Sequence, residues 1–198
     1  MEHGVRPKYK GGKAERQLVL SADGWEKKAK FIRLLLLDVD GVLTDGRIVY
    51  DGAGRELKFF DIKDGQGIKL LQQAGLEVGI LSGRKSPALR LRAKELGIRL
   101  VRQRVLDKEK SLEAILHKKR FRAEQICFVG DDLVDLPVLA RVGLAVAVAD
   151  SLEDVRANAH YVTRHLGGQG AVREVCDLIL KAQGKWKAVT QKFFQHLR

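Results

Sequence analysis

Asp38 and Asp40 stand two residues apart at the end of an apolar run, Leu34-Leu35-Leu36-Leu37. On an extended chain, side chains two apart point the same way. Two anions held that close repel unless a cation lies between them or one carries a proton. A hard divalent ion such as Mg²⁺ suits oxygen ligands of this kind. A second acid cluster, Gly130-Asp131-Asp132-Leu133-Val134-Asp135, follows another apolar run, Ile126-Cys127-Phe128-Val129. Two buried strands that each end in acids suggest one shared metal site.

The elements that must position these acids follow from patterning. A short continuous apolar run suits a strand buried on both faces of a parallel sheet, and open α/β sheets bind ligands at the carboxyl ends of their strands. Strands are expected near Ile32–Asp38, Glu77–Leu81, Ile98–Val101, Ile126–Val129, Leu144–Val148 and Tyr161–Val162. Helices are expected at Asp61–Leu71, Ser86–Leu96, Lys108–Lys119, Leu133–Arg141, Leu152–Ala157, Ala171–Ala182 and Trp186–Leu197. A short helix beginning near Ser21–Glu26, capped by Ser21 or Asp23, leads into the first strand. The alternation implies βαβ units and a three-layer α/β/α, Rossmann-like parallel sheet. Between Asp45 and Phe60, two β-rich runs flank Asp51-Gly52-Ala53-Gly54, a hairpin signal at the carboxylate end of the first strand. Such a hairpin can act as a flap. Gly65-Gln66-Gly67 is not a dinucleotide fingerprint, because Leu70 occupies the third glycine position.

Four segments, in order, resemble the haloacid dehalogenase-type phosphatases: Asp38-Val39-Asp40-Gly41-Val42-Leu43-Thr44, Leu81-Ser82-Gly83-Arg84, Lys108, and Gly130 to Asp135. Further matches resemble one branch, the 3-deoxy-D-manno-octulosonate 8-phosphate phosphatases. The resemblance spans about residues 32 to 184. It implies a capless catalytic fold and hydrolysis of a phosphorylated sugar acid through an aspartyl phosphate. Asp38 would be the nucleophile and Asp40 the general acid and base. Mg²⁺ would be held by Asp38, the backbone carbonyl of Asp40, and Asp131, with Asp132 and Asp135 as auxiliary acids. Ser82, the amide of Gly83 and Lys108 would bind phosphate, with Lys110 the rival lysine. Asp61, Ile62, Lys63, Asp64, Gly65, Lys69, Arg84 and Arg92 resemble the family's substrate-contacting positions. Lys63 and Lys69 replace arginines common there, which keeps the charge and loses the bidentate fork. Gly167 to Glu174 resembles a segment at the entrance to the site and at subunit contacts.

The chain has 198 residues, 45% hydrophobic and 31% charged, which suits one globular domain. We expect a basic mobile arm over 1–20, a catalytic domain over 21–184 and a basic tail or helix over 185–198. The net charge of +12 concentrates at the ends: residues 1–33 and 181–198 each contribute +5. No apolar run is long enough to cross a membrane, and the basic N-terminus lacks the apolar stretch of a secretory signal. Cys127 and Cys176 read as buried thiols, which suits the cytoplasm. Neither gap between the four segments can hold a lid domain, yet a reactive acyl phosphate benefits from excluded water. Cover from the hairpin, the tail or another copy of the chain is therefore expected, an oligomer is predicted, and the resemblance implies a homotetramer. Competing readings are a nonulosonate 9-phosphate phosphatase, a phosphoacceptor switch and a basic nucleic-acid-binding protein. The nearly neutral middle of the chain disfavours the last, and the Asp-X-Asp spacing, a built-in acid/base, disfavours the switch.

Overall fold

Leu34–Leu37 forms β1, buried at every position, because the strand lies at the centre of the sheet. It pairs in parallel with β4 (Glu77–Leu81) on one side and β6 (Ile126–Gly130) on the other. With β5 (Leu100–Arg102), β7 (Leu144–Ala147) and β8 (Tyr161–Val162), the order is β5-β4-β1-β6-β7-β8, parallel throughout. The chain winds outward from β1 in both directions. The crevice beyond the carboxyl end of β1 is therefore the topological switch point of the sheet. The structure, a computed structural model, describes residues 22–195. The expected arm over 1–20, the Ser21 cap and the last residues of the chain lie outside that range.

Alternation along the strands sends side chains to two cores. Leu35, Leu37, Ile80 and Val129 face one core, closed by α1 (Ala22–Ala29), α2 (Ile62–Gln73), α3 (Pro87–Glu95), α7 (Ala171–Ala182) and α8 (Trp186–Phe194). Leu34, Leu36, Leu81 and Phe128 face the other, closed by α4 (Lys108–Lys119), α5 (Leu136–Leu139) and α6 (Glu153–Ala157). This is the expected three-layer fold. Between β1 and α2 the chain forms only a two-stranded hairpin, β2 (Val49–Tyr50) and β3 (Glu56–Leu57). Asp51 closes its turn by accepting from the amides of Ala53 and Arg55, both at 2.9 Å. Cys127 and Cys176 are buried and free.

Two expected elements differ. The helix expected at Leu133–Arg141 is a 3₁₀ turn over Leu133–Asp135 followed by the single turn of α5. Asp132 caps the 3₁₀ turn, and Asp135 turns inward to accept from the amides of Asp131 and Asp132. Those side-chain bonds compete with a continuous helix. The strand expected at Ile98–Val101 starts later, at Leu100, because Ile98 donates back to Ala93 O and closes α3 after left-handed Gly97.

Candidate active site

The loop after β1 is wound around one carbonyl. The amides of Val42, Leu43 and Thr44 and the Thr44 hydroxyl all donate to Val39 O. This wraps the chain tightly enough to present Asp38 and Asp40 at the strand end. Gly41 has φ +88°, and a Cβ there would lie 2.0 Å from Asp131 Oδ2. Only glycine lets the Asp131 carboxylate close over the loop. Gly167 packs from above in the same manner: its Cβ would meet Gly41 O at 1.7 Å, and the amide of Gly168 donates to Val42 O. Gly167 and Gly168 thus lie on the loop that follows β1.

Asp38 is 7% exposed, and its amide donates to Val129 O of β6. Lys108, the first residue of α4 behind the Asp107 cap, places Nζ 3.1 Å from Asp38 Oδ1 and 2.6 Å from Asp135 Oδ1. Asp135 is fully buried, and its other oxygen is held by the amide of Asp131. Its role is to position Lys108 and the β6 loop. Asp38, Asp131 and Asp135 each bring an oxygen within 4.8 Å of the others. Burial pushes the Asp38 carboxyl up to about 6, with Lys108 opposing the rise and Asp135 adding to it. Burial, then the charges of Asp38 and Asp135, push Asp131 up to about 8. Burial would lower the Lys108 ammonium, but the two carboxylates outweigh it and hold it above its ordinary value. Asp131 Oδ1 is buried with no hydrogen-bond partner. Three acids against one lysine leave the cluster short of positive charge. An orphaned carboxylate oxygen beside Asp38 is what a cation would satisfy, so these residues fit a hard divalent ion.

Asp40 is not part of that acid cluster. Its carboxylate pairs with Lys58, whose side chain is 2% exposed, and lies 3.7 Å from Arg84 Nε. Glu56 completes the group, accepting from Arg84 at 2.6 Å and lying 3.5 Å from Lys58. Glu56 and Lys58 are two apart on the edge of the hairpin, so they reach the site together and dock the flap on it. Reasoning from sequence missed both. Their only signal was that two-residue spacing in a strand already read as a flap.

Ser82 ends β4, buried, with its amide on Arg102 O and its hydroxyl accepting from the Arg84 amide at 3.3 Å. Gly83 is exposed beside it. Asp61 caps α2, accepting from the amides of Lys63 and Asp64 at 2.5 and 3.2 Å. Arg92 donates to Asp61 O at 3.2 Å and lies over Gly65, where a Cβ would meet its guanidinium at 2.3 Å. Asp64 is buried and accepts from the Arg173 amide at 2.7 Å, tying α2 to α7. Arg92, Gly65 and Asp64 thus hold the turn, while Ile62, Lys63 and Lys69 are exposed on it. Lys63 lines a cleft with Trp25 and Tyr161 that none of the acids at the ends of β1 and β6 enters. Lys110 is exposed and pairs with Asp107, so of the two lysines only Lys108 reaches the acids.

Residues 101–174 match the model of the haloacid dehalogenase-like hydrolases. The chain is 47% identical over 169 residues to the 3-deoxy-D-manno-octulosonate 8-phosphate phosphatase of Yersinia pestis, covering 85% of this chain and 90% of that one. It is 49% identical over 158 residues to the enzyme of the same name from Escherichia coli K12, covering 80% and 84% of the two chains. The crystal structure of the Moraxella catarrhalis phosphatase of that name, in complex with magnesium, phosphate and KDO, superposes with a TM-score of 0.86. It is 40% identical and matches over 87% of this chain and 99% of that one.

Proposed function

The chain belongs to the 3-deoxy-D-manno-octulosonate 8-phosphate phosphatases of the haloacid dehalogenase-like hydrolases, and on that footing we propose how its own residues perform the reaction. The protein is a Mg²⁺-dependent phosphomonoesterase that releases phosphate and the free sugar acid from 3-deoxy-D-manno-octulosonate 8-phosphate. This places it in the synthesis of the inner-core sugar of lipopolysaccharide. The observation that carries the mechanism is the buried Asp38 paired to Lys108 beside the unpartnered Asp131 oxygen.

Asp38 attacks phosphorus, and the bond from phosphorus to the sugar oxygen breaks. Asp40 gives that oxygen a proton. Asp40 then takes a proton from water as the water attacks the aspartyl phosphate, which frees phosphate and restores Asp38. Lys108 holds positive charge on Asp38 and on the transferring phosphoryl group. Ser82 and the Gly83 amide bind phosphate oxygens. Asp38, Asp131 and the Asp40 carbonyl would hold Mg²⁺, which when bound would neutralise phosphoryl charge. Asp132 and Asp135 orient the β6 loop and Lys108. For Asp40 to serve the leaving oxygen, Lys58 and Arg84 must exchange it for another anion. The substrate carboxylate suits them, and Arg84 can take it bidentately.

Lys63 and Lys69 face outward, as do Ile48, Tyr50, Leu57, Phe59 and Ile62 on and after the hairpin. The register pairs Tyr50 with Glu56 and Leu57 with Val49, so apolar side chains are exposed on both faces of the hairpin, and exposed apolar surface of this kind marks an interface. We therefore read the working form as a homotetramer in which neighbouring copies cover each site, with Asp61 to Gly65, Lys69 and Arg92 forming the wall that meets substrate. The catalytic domain spans 21–184, followed by the C-terminal helix and tail. Residence in the cytoplasm rests on the two free thiols. No described helix is long and apolar enough to cross a membrane.

The test is phosphate release from 3-deoxy-D-manno-octulosonate 8-phosphate and a panel of phosphosugars, with Mg²⁺ and with chelator. Preference for the octulosonate that vanishes with chelator is expected. Faster turnover of a nonulosonate 9-phosphate would overturn the substrate assignment, and turnover in chelator would overturn the metal.

A further inference from the structure

The near-neutral middle of the chain hides a steep internal division. Residues 84–122 carry fourteen Lys and Arg against four acids. Within this stretch lies β5, the edge strand of the sheet, with no described strand on its outer side. The Arg102 carbonyl accepts from Ser82 of β4. In a parallel ladder alternate residues turn both backbone groups to the same neighbour, so Val101 presents its N–H and C=O at the open edge. Each face of the sheet has a cleft along this edge. One, of about 610 Å³, is lined by Arg90, Lys94 and Arg99 with Val101 and Gln103. The other, of about 230 Å³, is lined by Arg99, Arg102, Lys118 and Lys119 with Leu100. Neither cleft has an acid among its lining residues. Among these cations, the one ion pair in the described residues is Lys119 with Glu77.

We propose that this edge is a docking site for an extended acidic peptide segment of another protein, added as a strand beside β5. Strand addition supplies main-chain hydrogen bonds, and alternate side chains of the added strand enter the two clefts. Acidic side chains on both faces of that strand would meet cations on both sides. The same cations repel a second β5 edge, so the strand does not pair with its own copy. The chain's own ends are basic and do not fit it. No aromatic residue lines either cleft, which disfavours single-stranded nucleic acid, since such sites stack bases on aromatic rings. The site lies apart from the acids at the ends of β1 and β6 and does not depend on the catalytic reading.

Fluorescence anisotropy of a labelled nonapeptide, (Glu-Glu-Val)₃, against the full protein at 0.15 M salt tests this. A lysine analogue, (Lys-Lys-Val)₃, and a labelled oligothymidylate serve as comparisons. The acidic peptide is expected to bind at least tenfold tighter than either. Charge reversal in Arg99→Glu/Lys118→Glu should cost at least tenfold in its affinity. Val101→Pro removes the outward amide at an edge position that tolerates proline, and should weaken the peptide at least fivefold. All variants should keep wild-type phosphatase activity, which reports that they fold. The proposal fails if the acidic peptide binds no better than the lysine analogue. It fails equally if oligothymidylate binds as tightly, or if Val101→Pro folds and leaves peptide affinity unchanged.

Discussion

Lys108 sets the electrostatics of the site, because among the described residues it is the one cation paired into a cluster of three acids, two of them buried. Replacing it with alanine should lower kcat by about 10²–10³-fold, the scale of losing one preorganised charge contact, with steady-state kinetics as the measurement. Gly41→Ala adds a Cβ to a residue at φ +88° and drives it into Asp131. We expect a loss of roughly 2 kcal/mol in denaturant unfolding, the scale of backbone strain at a functional turn, together with loss of activity. Asp64 gives a pH signature remote from the acid cluster. Burial, opposed by the Arg173 amide, pushes its carboxyl up to about 6. The folded state therefore holds this proton more tightly than the unfolded chain does. The stability it contributes is full below about pH 4 and is lost as pH rises through about 6. Asp64→Asn should flatten that fall, recovering on the order of 2 kcal/mol above pH 6 relative to its own value at pH 4. Thermal melts across that range would show no difference in slope if the reading is wrong. Asp38 and Asp131 were legible in the sequence because acids at the ends of apolar strands carry a position with them, whereas Lys108 was placed by the family resemblance alone. Lys58 was not legible, since a lysine in a hairpin looks the same whether solvated or pressed onto Asp40. Asp64 was read by resemblance as a substrate-contacting position, and its tie to the Arg173 amide, 109 residues away, had no signal in the sequence.

At the level of elements, the hairpin is held on the site by charge. Glu56 and Lys58 dock it on Arg84 and Asp40, the groups proposed to serve the substrate. Glu56→Ala should free Arg84 for substrate and lower KM by about two- to fivefold, the scale of one partly exposed ion pair, with little change in melting temperature. An unchanged KM would show that the flap does not compete with substrate. Most elements were readable from apolar period and caps: Asp61, Ser86 and Asp107 each cap a helix where the pattern placed its start. The failures share one cause. Asp135 turns inward to hold two amides and breaks the helix expected at Leu133–Arg141, and Ile98 is drawn into the end of α3. In both places a bond to a group only three to five residues away interrupts the regular element, and apolar periodicity carries no sign of such a bond.

For the molecule as a whole, fold class followed from βαβ alternation, and the shared acid cluster from two strands ending in acids. Charge was harder to read. A summed net charge placed the basicity at the two ends, whereas a 39-residue stretch around β5 is as basic as both together. Assembly is the other property of the whole chain. Tyr50→Glu/Leu57→Glu places charge on the exposed hairpin and should convert a tetramer to smaller species by light scattering, with activity falling alongside. A monomeric wild type would remove the shared-cover account. The measurement that bears most directly on the central claim follows one turnover on the acid site itself. Rapid-quench mixing of the Mg²⁺-loaded enzyme with 3-deoxy-D-manno-octulosonate 8-phosphate labelled in the phosphoryl group should give acid-stable label on the protein that maps to Asp38, decays as phosphate appears and is absent in Asp38→Asn. Phosphate release by Asp38→Asn at the wild-type rate, or label on any other residue, would contradict it.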